Sequence, residues 1–341
     1  MNIIALVDFK SFTLGKNDND RRLDKVIRIF AENLSLAEIY KYLRKGLIKL
    51  NGKKAKPDAR VYENDVLLVA DFILTQNIQN ETKNKNAKNL NKKHLGCAEL
   101  ENAVVFENQH ILIINKGYDV SVHGKADSLD KKVAEYYKAH INEGSLSFKP
   151  GPLHRLDRKT TGLLCFSMSL EGARWFSENI KTHMIQKKYA AIVCGRLLEK
   201  ELWTDEIKKN EGKRGFKTVM ARELSDTESD DFKTAVTEVS PVAYGSYKNQ
   251  SITLALFDIK TGRTHQIRSQ SALHSHPLLG DSAYGGKRIL SSDSKQDFYL
   301  TAIEICFPLE NPLGLPPKIK LDLPNEFKNF LTSCSITNLE L

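Results

Sequence analysis

The sequence predicts an α+β protein of two domains, and three observations carry that expectation. The chain has 341 residues, more than one core usually holds. A stretch rich in Asn and Lys and poor in apolar residues, 75–98, divides it and reads as a flexible basic linker. Beyond the linker, strand-like runs come in hairpin pairs interrupted by helix-period runs. There is no regular βαβ alternation, so a largely antiparallel mixed sheet with flanking helices is expected. Hydrophobic residues make up 41% and charged residues 27%, so each domain can bury a core.

Residues 1–74 form the first unit. "NDNDRRLDKVIRIFAEN" offers Asn and Asp as N-caps, then Leu23, Val26, Ile27 and Phe30 at helical spacing. Ser35 caps a second helix, and Gly46 stops it after Arg44 and Lys45. "LIKLNGKKA" reads as strand, Asn-Gly turn and return strand, and "YENDVLLVADF" as a turn and strand.

The larger unit spans 99–341. "AVVFENQHILIINKG" predicts two strands around Asn108-Gln109, and "KKVAEYYKAHI" a helix. "LEGARWFSENIKTHMI" predicts a helix with Ala173, Phe176 and Ile180 on one face. "KKYAAIVCGRL" is a strand, "TAVTEVSPVAYG" and "ITLALFDIKTG" a hairpin, "RTHQIRSQSALHS" a helix opening, and "FYLTAIEICF" a closing strand. "SDTESDD", 225–231, is an acidic loop, and no repeat of 20–50 residues is visible.

Composition excludes several classes. No apolar run approaches the ~18 residues of a membrane span. The start, "MNIIALVDFK", lacks the basic region of a signal peptide, so a cytoplasmic protein is expected. The five cysteines are scattered with no C-x-x-C, which argues for reduced thiols and against disulfides or a zinc knuckle. Nucleotide-binding glycine motifs, H-E-x-x-H and G-x-S-x-G are absent. His274 and His276 are two apart and lack a third ligand at a suitable spacing. No metal and no cofactor are expected, and no segment suggests a dedicated oligomer interface, so a monomer is expected.

Lys and Arg number 51 against 42 acids, a net charge of +9. Arg21, Arg22, Lys25, Arg44 and Lys45 fall on or beside the two front helices, and Lys53 and Lys54 follow the Asn-Gly turn. Two basic helices and a basic turn in ~55 residues read as a phosphate-backbone footprint.

Three stretches can carry chemistry. In "GPLHRLDRKTTGLL", Asp157 sits among His154, Arg155, Arg158 and Lys159. The alternative for this acid is a surface salt bridge worth ~0–1 kcal/mol. Tyr189 lies in "QKKYAAIVCG". Arg263, His265 and Arg268 lie in "KTGRTHQIR" at the start of a helix, where backbone N–H groups point outward and cations can help hold a phosphate.

These stretches resemble, in order, the motifs of the RluA family of pseudouridine synthases. "HRLDRKTTGLLCFS" is similar to its catalytic motif and "QKKYAAIVCG" to its tyrosine motif; "IKTGRTHQIRSQ" with "HPLLGDSAYGG" is similar to its third. The first unit resembles the S4-like, alpha-L type of RNA-binding domain fused to the ribosomal large-subunit branch. The resemblance implies the pseudouridine synthase fold and isomerisation of uridine in large-subunit ribosomal RNA, without cofactor. It implies that Asp157 acts as nucleophile or base, that Arg268 pairs with it, and that Tyr189 stacks on the target base. It also implies that Arg155 enters the space left by the flipped nucleotide. His154, Arg158, Arg263 and His265 are expected to serve RNA.

The sequence departs from the family pattern at four places. "NKGYDVSVHG" lacks a proline, Thr161 stands for Ser, Ser269 for Val, and Thr301 for His. Two other classes compete: an inactive RNA-binding protein, and a glycoside or nucleoside hydrolase. The hydrolase would need a second carboxylate, and Asp281 is the one acid besides Asp157 in the shared motifs, read as structural.

Overall fold

The computed structural model describes residues 7–31, 34–74, 99–140, 145–211, 217–224 and 231–337. The linker at 75–98 and most of the acidic loop lie outside the described residues.

The front unit contains β1 (Phe9–Thr13), β2 (Arg21–Arg22), α1 (Leu23–Phe30), α2 (Leu36–Lys45), β3 (Ile48–Leu50), β4 (Arg60–Val61) and β5 (Val66–Ala70). Strands β1, β5 and β3 pair in that order, and β2 pairs β4. Leu23, Val26 and Ile27 of α1 and Ile39 and Leu43 of α2 close over this small sheet. Ser35 caps α2: its hydroxyl accepts from the Glu38 N–H, and the Glu38 carboxylate accepts from the Ser35 N–H at 2.9 Å. Gly46 ends the helix at φ 73°, a left-handed stop that costs glycine little.

Two expectations fail here. The return strand after Asn51-Gly52 is a single bridge, Leu50 to Lys53, because β3 pairs β5 instead. The turn is pinned to β5 by the Asn51 carbonyl oxygen, which accepts from the Val66 N–H at 2.7 Å. Nor do Asn17 and Asp18 cap α1, whose N-cap is Arg22 with no side-chain capping bond. They reach the other unit. The Asn17 side chain accepts from the Leu170 N–H at 2.9 Å. Asp18, fully buried, accepts from the Gly15, Leu146 and Ser147 N–H groups and from the Ser145 and Ser147 hydroxyls. Leu146 packs into the front core alongside.

The large unit contains β6 (Val104–Glu107), β7 (Ile111–Lys116), α3 (Leu129–His140), β8 (Thr161–Ser167), α4 (Leu170–Lys181), β9 (Gln186–Cys194), β10 (Glu201–Glu211), β11 (Lys217–Glu223), β12 (Lys233–Tyr247), β13 (Gln250–Ile259), α5 (Gln266–Leu273), β14 (Leu300–Cys306), β15 (Lys318–Lys320) and α6 (Asn325–Ser333). Its sheet runs β11-β10-β12-β13-β9-β14-β8-β7-β6, with β15 beside β14. Among the described residues only β8 and β14 pair in parallel, so the sheet is mixed and mostly antiparallel. Central strands β8 and β9 are buried almost throughout, and the main core lies beneath them.

The hairpin β10–β11 has no counterpart in the sequence reading. Its inward residues Trp203, Asp205 and Ile207 alternate, but the acid in the middle hides the period-two pattern. Asp205 is buried because Gln270 and His274 hydrogen-bond it at 2.7 and 3.0 Å. His274 also stacks on Trp203, while His276 faces the Cys194 carbonyl at 3.0 Å. Among the described residues, no group of three His, Cys, Asp or Glu side chains is set to hold a metal.

Two of the departures meet. Thr161 and Thr301 face each other in the parallel β8–β14 register, and their hydroxyls hydrogen-bond at 2.8 Å. At neighbouring Gly162, φ is +101° and an added Cβ would lie 2.1 Å from the Ala302 carbonyl oxygen, so only glycine fits.

Candidate active site

Asp157 stands on the loop that precedes β8. Lys116 holds this loop in place: its buried ammonium donates to the carbonyls of Gly117, Val120 and Arg158 at 2.9–3.0 Å. Burial lowers the pKa of Lys116 to about 8, against the pull of Asp157 and Asp119. These three bonds stitch the proline-less 117–120 turn to the aspartate loop.

The Asp157 carboxylate lies 3.5 Å from an Arg268 Nη1 and 3.6 Å from the His265 Nε2, and it is 17% exposed. Both contacts are long for hydrogen bonds. Arg268 is committed elsewhere: Asp281, 2% exposed, accepts from its Nε and Nη2 at 2.6 and 2.8 Å. Burial works against the Arg268 charge, but Asp281 outweighs it and raises the guanidinium pKa further. Tyr284 and Phe298 flank the guanidinium, each ring centre 4.9 Å away. Asp281 and Tyr284 belong to "GDSAYGG" in the third motif; Asp281, read from the sequence as structural, holds Arg268, while the part played by Tyr284 was missed.

His265, at φ 52°, is the residue from which α5 starts. Its Nδ1 meets the Tyr284 hydroxyl at 2.8 Å. Burial holds the imidazole below its usual pKa; Asp157 opposes this and Arg268 adds to it. Tyr189, on β9, is 5% exposed. Burial, with Asp157 beside it, pushes its pKa well up, so it stays a neutral phenol.

Asp157 forms part of the wall between two hollows. One, of about 500 Å³, is lined by Tyr189, Lys187, Thr261, Arg263, His265 and Arg268 among others, and Asp157 is its one carboxylate. The other, of about 590 Å³, runs past Ser121, Ser282 and Phe298. Arg155 is exposed, lines both, and has no side-chain partner among the described residues.

The sequence-predicted residues divide sharply. Asp157, Tyr189, Arg268, His265, Arg155 and Arg263 converge on the cleft. His154 lines it too but carries no charge. Its ring stacks on Phe176, its Nε2 accepts from the Cys165 N–H at 3.1 Å, and burial, aided by Lys187, drops its pKa to about 3. It supports the loop and adds nothing to the positive cluster. Arg158 is exposed and forked onto Asp119 at 2.6 and 2.7 Å. Arg21 donates to the Ser147 carbonyl and hydroxyl, tying the two units together, and Arg22 is paired with Asp24 at 2.7 Å. Lys25, Arg44, Lys45, Lys53 and Lys54 are exposed, with no ion pair among the described residues.

Comparison with known proteins bears on the family. Residues 110–273 match the family described as RNA pseudouridylate synthase, a span that includes Asp157, Tyr189 and Arg268. The match marks residues 110–273 as similar to an RNA pseudouridylate synthase domain. It is 28% identical over 285 residues to the ribosomal large subunit pseudouridine synthase C of Haemophilus influenzae, covering 82% of this chain and 80% of that one. It is also 28% identical to the enzyme of the same name from Rickettsia typhi, covering 91% of this chain and 96% of that one. Similarity to the ribosomal large subunit pseudouridine synthase D of Vibrio cholerae is 28% over 276 residues, covering 81% of this chain and 76% of that one. Among solved structures, human RNA pseudouridylate synthase domain containing 4 shares the fold, with a TM-score of 0.58 and 20% identity. The match covers 73% of this chain and 99% of that one.

Proposed function

We propose that this synthase converts uridine to pseudouridine at particular positions of large-subunit ribosomal RNA, with Asp157 as the reacting carboxylate. The observation that carries the role of Asp157 is its environment. It is the one acid in a cleft of cations, and its nearest cations stop at 3.5 and 3.6 Å. An acid so placed keeps lone pairs free and is able to move onto a substrate carbon or proton.

The other residues then have distinct tasks. Arg268, locked by Asp281, keeps a positive charge beside Asp157 without neutralising it by a tight pair. Tyr189 offers a buried ring for the flipped base. Arg155, unpartnered at the rim, fills the space that base leaves. Arg263, held through its Nε by the Thr234 carbonyl at 2.9 Å, faces the phosphates. The front unit serves as an S4-like RNA-binding domain through Lys25, Arg44, Lys45, Lys53 and Lys54. The proposed enzyme is a cytoplasmic monomer; among the described residues no helix is long and apolar enough to cross a membrane.

A hydrolase reading needs a second carboxylate across the bond. Asp281 is forked onto Arg268, and Asp297 in the second hollow is paired with Lys159, so neither serves. The test is a pseudouridine map of large-subunit RNA from cells with and without the protein. Loss at one or a few sites, restored by wild type and not by Asp157→Asn, is the expected result. Restoration by Asp157→Asn would overturn the role of the aspartate.

A further inference from the structure

Lys187 is the buried cation that the assignments above leave unused. It lies on β9 two residues before Tyr189, so both side chains leave the same face of the strand and line the same hollow. The residue is 7% exposed. Its ammonium sits beneath the loop that leads into α5: a Cβ added at Gly262 would lie 3.7 Å from the Nζ. Among the described residues its side chain has no hydrogen bond and no ion pair. Burial lowers its pKa, Cys165 alone acts the other way, and no carboxylate is within effective reach.

The contrast with Lys116 is informative. That lysine is as deeply buried, but three carbonyls saturate its three N–H bonds. Lys187 has the same three donors and, among the described residues, no acceptor for them, and it lines the hollow. An unpaired buried charge costs stability unless a partner arrives. The hollow it faces is where that partner would come.

Resting on the proposed function, we propose that the Lys187 ammonium stabilises the uracil as it leaves the sugar, by donating to a carbonyl oxygen of the base. Position favours the base over a phosphate. The exposed cations Arg155, Lys181 and Arg263 stand at the mouth, where the backbone passes, whereas Lys187 is on the floor beside the Tyr189 ring.

The chemistry fits an interaction that strengthens in the transition state. When the C1′–N1 bond breaks, its electron pair departs with the base as a uracil anion, with charge on N1 and both carbonyl oxygens. This holds if Asp157 attacks C1′ to form an ester, and equally if it takes the C2′ proton. The ammonium keeps its proton throughout. On rejoining, C5 bonds to C1′ as the ester C1′–O bond breaks and frees Asp157, or, in the second route, as Asp157 returns the proton to C2′. C5 then gives its proton to water, N1 takes one from water, and the product is an isomer. A neutral uracil gains little from Lys187 before cleavage and much during it.

The test uses full-length protein and a large-subunit RNA fragment that wild type modifies. Lys187→Met and Lys187→Arg are compared in single-turnover rate at saturating enzyme, RNA Kd and Tm. The expected result for Lys187→Met is a rate about 10²-fold lower, with Kd within about threefold and Tm raised, because a buried unpaired charge is gone. Lys187→Arg, which keeps the charge, is expected to be the faster of the two. If Lys187 matters only as an apolar stem, Met substitutes better than Arg; that order, a Lys187→Met rate within about threefold of wild type, or a loss confined to Kd would each overturn the proposal. Wild type that makes no pseudouridine would overturn the function reading itself, and this is distinguishable because the variants then play no part.

Discussion

Two aspartates flanked by basic residues in the sequence end in opposite surroundings. Asp18, between Lys16 and Arg21, is fully buried and accepts hydrogen bonds from five donors. Asp157, between Arg155 and Arg158, is partly open to a cleft, and its nearest cations stand 3.5 and 3.6 Å off. The saturated acid fastens the front unit to Ser145–Ser147. The under-saturated one keeps lone pairs available for a substrate. A carboxylate's hydrogen-bond count, more than its charge neighbours, separates anchor from reagent.

The largest effect expected from breaking this comparison is at the reagent. Asp157→Asn is expected to abolish product formation, by about 10⁴-fold or more, with Tm nearly unchanged because Arg268 retains Asp281. Pseudouridine assay and thermal melting on the same sample check both halves. A large fall in Tm would mean that Asp157 is a second anchor.

Next is the support behind Asp157. Asp281→Asn leaves Arg268 able to swing onto Asp157, turning a loose contact into a tight pair. Activity is expected to fall about 10²-fold, and stability by about 3 kcal/mol, since one partner of a buried pair is lost. A single-turnover assay with denaturant unfolding separates the two effects.

The anchor has the third effect. Asp18→Ala strands the Ser145 and Ser147 hydroxyls and the Gly15, Leu146 and Ser147 N–H groups, at about 1–3 kcal/mol each where they stay dry. The two units are expected to come apart: linker proteolysis speeds up, RNA binding to long fragments weakens, and the rate on a short single-stranded target persists. Loss of that rate would show that the front unit shapes the cleft as well as holding RNA.

How much of this was legible follows the same physics. Of the motif residues, Tyr189 lies within β9 and Arg268 in the first turn of α5, elements that the sequence pattern marks, and Asp157 stands on the loop before β8. The Ser35 cap and the Gly46 stop were readable because they depend on residues three or four apart. What escaped depends on distance along the chain. Asp18 looked like a helix cap because its true partners lie about 127–129 residues away. His154 looked like a cation because nothing local shows that Phe176 and Cys165 would enclose it. Strand β10 was hidden by Asp205, whose burial depends on Gln270 and His274. The pairing of Thr161 with Thr301 turned two apparent departures into one hydrogen bond.

The smallest effect sharpens the comparison by pH. His154 is neutral in the fold, with a pKa of about 3 against 6.5 when unfolded. Below pH 6.5 the unfolded chain takes up a proton that the native ring refuses, so stability falls as pH drops from 6.5 towards 3. His154→Leu removes the titrating group and is expected to flatten that part of the profile. At pH 7 it costs only the hydrogen bond to the Cys165 N–H, about 1 kcal/mol. Denaturant midpoints at pH 7, 5.5 and 4 measure it: a wild-type–variant difference that narrows as pH falls fits a neutral structural ring. A difference that stays constant would mean that the ring is charged in the fold after all, and would return His154 to the cations that face RNA.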